Sequence, residues 1–272
     1  MSGVLLYFRL LRAQVRSQLN SPVSFALDVL ATTLLTLAEF SAFALVMQRF
    51  PHLGGPGAAG WSLGEVALLY GMAELGFATM DLLFGGFDAP NLSALVRRGG
   101  LDMLLLRPAS LTLQVFGSDF SLRRVGRMLL GVGILIWANR LHPLLWTPEK
   151  ALLLLLSLAG LVLFFGGLFM VGGTLTFWTT ENVEAMNIVT YGGKTLISYP
   201  LSIYDEWLRR AALVLPVGLL SFPPVLVVLG RPFPPGLPHW TAYVSPLAGL
   251  AFLGLGVAFW RFGLRYYQGT GS

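Results

Sequence analysis

The chain has 272 residues, of which 55% are hydrophobic and 11% charged, with a net charge of +5 and no cysteine. Soluble domains carry about 25% charged residues, so this composition excludes an ordinary soluble enzyme, and the missing cysteine excludes disulfide and thiolate chemistry. The mean hydropathy of +0.72 fits one integral-membrane domain over residues 1–272, with no room for a separate soluble domain. Sixteen arginines against two lysines supply the positive charge. In such a chain they read as a topology signal, and no nucleic-acid partner is expected.

Residues 3–20 predict an amphipathic helix lying on the membrane. At 100° per residue, Tyr7, Phe8, Leu11, Val15 and Leu19 share one arc, and Arg9, Arg12 and Arg16 share the arc beside it, a pattern suited to the headgroup boundary. The apolar run that follows is about 25 residues, longer than the 7–15 of a cleaved signal core, and so predicts a retained anchor. Asn20-Ser21-Pro22 caps and starts it. Spans are predicted near 23–47, 64–87, 122–140, 150–178 and 244–263, each about the 20 residues a bilayer requires. Arg123, Arg124 and Arg127 open the third and can snorkel to the headgroups.

Four acidic residues fall inside the first two spans. Asp28 and Glu39 share a helical face, as do Glu74 and Asp81. A charge at mid-bilayer costs roughly 2.5–3.5 kcal/mol, so such residues usually face a bundle interior or a wet path. Asp28 and Asp81, near span ends, read as structural or solvated. Glu39 and Glu74 read equally well as a polar lining or as structural bonds.

Between the second and third spans lies RRGGLDMLLLRP. Asp88 or Asn91 can cap a short helix with Pro90 in its first turn. Leu92, Leu95 and Val96 form its apolar side, Arg97 and Arg98 its last turn, and Gly99-Gly100 its end. Leu101 to Leu106 make a second apolar turn, closed by Arg107-Pro108. A plain positive loop would need neither the apolar residues nor the glycines and proline. Segment 88–108 therefore predicts a cytoplasmic knuckle that docks on a protein partner through Leu95, Arg97, Arg98, Asp102, Leu105, Arg107 and Pro108.

Region 183–230 holds two apolar segments. Arginines at 9–16, at 97–127 and at 261 and 265 put both termini on the cytoplasmic side, so an even number of spans is expected and one of the two segments does not cross. Pro216, Pro223 and Pro224 break the second. This predicts 183–204 as the fifth of six spans and 206–229 as a re-entrant hairpin on the outer side. Plain hydropathy prefers the reverse, with 211–229 as the span and 179–210 as a cytoplasmic loop. GGKT at 192–195 mimics a nucleotide loop, but Ile188 stands where the P-loop needs glycine. His52, His142 and His239 show no metal-ligand spacing.

RRGGLDMLLLRP after the second span, FWTTENVEAMN after the fourth, YPLSIYDEWLRR followed by LPVGLLSFPP, and the terminal YYQGTGS together resemble a permease of the type-2 ATP-binding-cassette transporters, of a prokaryotic branch. The resemblance runs over nearly the whole chain. It implies an all-α polytopic protein with six spans, both termini inside, an interfacial helix before span 1, a coupling helix between spans 2 and 3 and a re-entrant outer hairpin between spans 5 and 6. It implies a multi-pass exporter subunit in the cell (inner) membrane, in contact with membrane lipid, that is not itself an enzyme. It further implies a second permease subunit, in a homodimer or a heterodimer, and cytosolic ATP-binding-cassette ATPase subunits that hold the ATP; no cofactor is expected on this chain. Two rivals use the residues differently. An ion-gradient-driven transporter would work through Glu39 and Glu74 but should show paired broken helices. An intramembrane lipid-modifying enzyme would need an acid, a base and a nucleophile that converge.

Overall fold

The computed structural model describes residues 3–49, 60–179 and 184–267. Among them every regular element is helical. α1 (Gly3–Leu19) turns at Asn20-Ser21 into α2 (Pro22–Arg49), whose first residue is the proline that a helix start tolerates. α3 (Leu63–Phe84) opens on a capping box: the Glu65 N–H donates to Ser62 Oγ at 3.3 Å and the Ser62 N–H to Glu65 Oε2 at 2.8 Å. There follow α4 (Ala89–Arg97), α5 (Gly100–Leu105), α6 (Leu111–Phe116), α7 (Leu122–Leu141), α8 (Pro148–Thr179), α9 (Glu184–Ile197), α10 (Glu206–Val214), α11 (Phe222–Leu229) and α12 (Ser245–Tyr266).

Four stretches are long and apolar enough to cross a membrane: Pro22–Val46, Leu63–Arg97, Pro148–Thr179 and Ser245–Tyr266. A fifth is added if the α10 and α11 hairpin, bent by 85°, counts as one. α7 has the length but carries Arg123, Arg124, Arg127 and Arg140. α9 has 14 residues, roughly 21 Å of helix against a hydrocarbon core of about 30 Å. Length and composition alone thus give four or five spans where six were expected.

α3 is the central helix, its face buried against α7 on one side and α8 on the other. Glycines set the spacing. A Cβ on Gly71 would meet the Leu135 side chain at 2.9 Å, and one on Gly131 the Leu75 backbone at 2.8 Å. Position rises along α3 as it falls along α7, so the two are antiparallel. α8 and α12 meet backbone to backbone. A Cβ on Gly249 would lie 2.3 Å from Gly160 O, one on Gly256 2.7 Å from Gly167 O, and one on Gly263 2.3 Å from Thr174 Cγ2. The repeat of seven residues keeps these positions on one face, and the shared order makes the pair parallel. Between apolar helices in lipid, such close approach supplies dispersion contact where burial from water cannot.

Polar contacts mark the two ends of the bundle. At the start of α3, Arg231 Nε lies 2.8 Å from Glu65 Oε1 and its guanidinium stacks 4.2 Å over the Trp61 ring. There too Trp61 Nε1 donates to Ser202 Oγ at 2.9 Å, Trp61 and Phe222 rings lie 5.9 Å apart, and Lys150 Nζ donates to Val228 O at 2.9 Å. At the other end of α3, Tyr191 OH donates to Asp88 Oδ2 at 3.1 Å. The chain from Tyr191 to Ser202 therefore runs from the α4 end of α3 back to its start.

The predicted double break by proline needs correction. One break separates α10 from α11 and includes Pro216, whereas Pro223 and Pro224 stand in the first turn of α11 and begin a helix. There a missing N–H removes no intrahelical bond.

Candidate functional site

The predicted knuckle is α4, a left-handed glycine, and α5. Leu92 and Val96 on α4 and Leu101 on α5 are buried and root it in the bundle. Gly99 has φ 64°, a conformation that costs a side chain but not glycine, and it redirects the chain between the two short helices. Asp88 precedes α4 but makes no side-chain cap, because its carboxylate accepts from Tyr191. Asn91 Nδ2 instead donates to Gly85 O at 2.8 Å and to Asp119 Oδ2 at 2.7 Å.

Of the residues predicted to dock a partner, Arg97, Arg98, Leu105, Arg107 and Pro108 are exposed, together with Met103 and Leu106. Leu106 is 82% exposed, too open for a residue that serves packing within the chain. Leu95 is half-buried, packed on the core. Asp102 is half-buried and accepts from Tyr267 OH at 3.0 Å, so it faces the end of α12. Burial and the Asp102 charge push the Tyr267 phenol up to about 12, and it donates throughout the physiological range.

A ladder of ions runs from the knuckle into the bundle. Asp119 Oδ2 lies 2.6 Å from Arg124 Nη2; Arg124 Nε lies 3.0 Å from Asp81 Oδ1; Asp81 Oδ2 lies 3.7 Å from Arg127 Nη1. Arg127 Nε donates to Glu74 Oε1 at 2.9 Å, and Lys194 Nζ lies 2.7 Å from Glu74 Oε2. Glu74 is fully buried. The seven residues from Glu74 to Asp81 are two turns of α3, about 10 Å. Three acids and three bases balance, as buried charges must when water is excluded.

One expectation changes here. Arg124 and Arg127 do not snorkel outward but turn inward onto Asp81 and Glu74. Of the two readings of Asp81, structural or solvated, the structural one holds: it is a buried rung paired with Arg124. Lys194, the lysine of the GGKT stretch, was not singled out from the sequence. The available signal was a lone lysine in an apolar segment, which needs a buried acid in reach.

Glu39 and Glu74 are not brought together. Glu39 is exposed on α2 and lines an open cavity of about 750 Å³ between α2, α3, α7 and α9. Arg127, Lys194, Tyr70 and Tyr199 line the same cavity, and Glu74 is hidden behind the two cations. Among the described residues no group of three or more His, Asp or Glu side chains could hold a metal ion.

A bundle of apolar helices with an ordered charge network through its interior and a rooted, exposed knuckle at one end is the build of a multi-pass membrane transport protein. The chain belongs to the ABC-2 family transporter proteins, whose family model matches residues 33–271. Among curated proteins and among solved structures, none matches the chain.

Proposed function

We propose that the chain is the permease subunit of an ATP-driven exporter, with six crossings, both termini cytoplasmic in the cell (inner) membrane, and a cytosolic ATPase docked on segment 88–108. A second permease subunit completes the cargo path, in a homodimer or a heterodimer. ATP binds on the partner ATPase and not on this chain. The observation that carries this reading is the knuckle: rooted by Leu92, Val96 and Leu101, it turns Arg97, Arg98, Leu105, Leu106 and Arg107 outward. Basic and apolar groups together suit a protein groove better than water or lipid.

Six crossings draw support from the direction of the chain. α3 and α7 are antiparallel, and α8, which runs parallel to α12, meets α3 at Leu161–Gly76 and Gly166–Phe84 in the same order as α3 itself. α8 and α12 both leave the α3 start, so the chain must return between them. Residues 184–203 make that return, from the Asp88 end to the Trp61 end. α11 makes its polar and ring contacts at the Trp61 end, through Phe222 and Val228, as an outer hairpin would. The ion-gradient alternative loses force because Glu74 is held by two cations.

The test is co-purification. Full-length tagged chain expressed in its native host should retain a nucleotide-hydrolysing subunit, and Arg97→Glu/Arg98→Glu should release it while the chain still inserts in the membrane. Undiminished retention by the double variant would remove the knuckle as the docking element.

A further inference from the structure

A second cavity, of about 320 Å³, lies where α1 meets α2 and the Asp119–Arg123 loop crosses them. It is a polar chamber at the edge of a membrane protein. Gln14 and Gln18 of α1 build its wall: Gln14 Nε2 donates to Ser118 O at 2.8 Å, and Gln18 Oε1 accepts from the Leu122 N–H at 2.8 Å. The wall is thus fastened, whereas the groups that point in are not. Asp28 and Arg123 line the cavity, both exposed, and neither side chain has a hydrogen-bond or ion-pair partner among the described residues. The Ser17, Ser21 and Ser24 hydroxyls line it too, and Asp119, the other carboxylate there, is already taken by Arg124 and Asn91.

Depth decides what such a site meets. Asp28 stands six residues into α2, about 9 Å along the axis, while the amphipathic pattern of α1 suits the headgroup boundary. A carboxylate and a guanidinium, separately free and sharing one chamber at that depth, match a molecule that carries a cation and an anion together. We propose that this chamber binds a phospholipid with a phosphate and a primary amine in its headgroup. The ammonium donates to Asp28, the phosphate accepts from Arg123 and the serine hydroxyls, and the acyl chains lie along the exposed apolar face of α2, at Leu27, Leu30 and Leu34. The primary amine is required because a trimethylammonium has no N–H to donate to the carboxylate.

The proposal is independent of the ATPase and of the cargo, and its test uses the purified full-length chain alone. Native mass spectrometry after incubation with equimolar phosphatidylethanolamine, phosphatidylcholine and phosphatidylglycerol of matched chains reads which lipid stays bound. Phosphatidylethanolamine should be retained about tenfold over phosphatidylcholine, the scale of one charge-assisted hydrogen bond. Asp28→Asn should abolish that preference and leave phosphatidylglycerol retention unchanged. Arg123→Gln should lower retention of all three, while Arg140→Gln, distant in the chain on the same helix, should change none. Equal retention of the three lipids by the unaltered chain would overturn the proposal without any variant. So would an undiminished preference in a monodisperse Asp28→Asn protein. Preference for phosphatidylglycerol would overturn it in favour of simple anion binding by Arg123.

Discussion

Replacing Glu74 by Gln keeps the side chain's shape and removes its charge, which isolates the middle of the ion ladder. In the native chain Glu74 meets Arg127 at 2.9 Å and Lys194 at 2.7 Å. After the change Arg127 keeps its 3.7 Å approach to Asp81, and Lys194 keeps the Tyr70 ring at 5.8 Å. Removing one partner of a buried pair costs about 3–5 kcal/mol. Arg127 and Lys194 border the open cavity and can recover some hydration there, so the lower end applies, about 3 kcal/mol. At roughly 2–4 °C per kcal/mol for chains of this size, the melting temperature of the detergent-purified protein should fall by on the order of 10 °C. Glu74→Gln/Lys194→Gln removes one charge of each sign and restores neutrality. It should be more stable than the sum of the single variants by about 0.5–3 kcal/mol, the range for coupled neighbours. Tryptophan fluorescence on heating, checked by size-exclusion survival, measures both. Unchanged melting of Glu74→Gln, or strict additivity in the cycle, would refute the ladder as a source of stability.

Gly256→Leu should abolish the recovery of monodisperse protein, since its Cβ would meet Gly167 O at 2.7 Å, whereas Gly254→Leu, with nothing within 4 Å, should behave as the native chain. Tyr267→Phe should raise amide exchange over 100–107 about fivefold, the scale of one net hydrogen bond. In the native chain that protection should be full below pH 10 and be lost as the pH rises toward about 12, because the folded phenol is raised above its ordinary value. The chain has no cysteine, so Asp205→Cys and Pro235→Cys, both at exposed positions, report sidedness without background. An impermeant thiol reagent added outside intact cells should label both, and labelling of Pro235→Cys alone would make α10 and α11 a crossing.

What could be read from the sequence depended on the range of the forces involved. Hydrophobic run length placed α2, α3, α8 and α12 to within a few residues, because burial in lipid is decided segment by segment. The knuckle was equally legible, since Gly99, Gly100 and Pro108 act on their own neighbours. The ladder was not. Asp81, Arg124 and Arg127 each looked tolerable alone, as end-of-span charges able to reach water, and only the antiparallel register of α3 against α7 makes them partners. Lys194 was further hidden because its GGKT setting invites comparison with a nucleotide loop, and rejecting that loop left the lysine without a role. The seven-residue glycine match between α8 and α12 was visible in principle at Gly160, Gly167, Gly249 and Gly256. It means little until the two helices are known to run parallel.

The two kinds of helix contact divide the bundle mechanically. α3, α7 and α9 are joined by paired buried charges. Sliding one past another by a turn, about 5.4 Å, would strand the fully buried Glu74 without either of its cations. These three should therefore move as a unit, and Asn91, held to Asp119 at 2.7 Å, fastens α4 to the same unit. α8 and α12 meet through glycines and rings along most of their length, with one buried hydrogen bond, Ser245 Oγ to Ser157 O at 3.1 Å, at the start of α12, and no buried ion pair to strand among the described residues. α2 shows its leucines outward and packs mainly against α7, so it has the least holding it. A push on the knuckle would then be carried by α4 and the ladder into the α3, α7 and α9 unit. The yielding would occur where that unit faces α2, which is where the 750 Å³ cavity lies. Disulfide cross-links offer a discriminating experiment. A link between α3 and α7 should leave the ATPase cycle of the assembled transporter intact, whereas one between α2 and α9 across the cavity should arrest it. Arrest by the first link with tolerance of the second would place the moving joint inside the ladder and reverse the assignment.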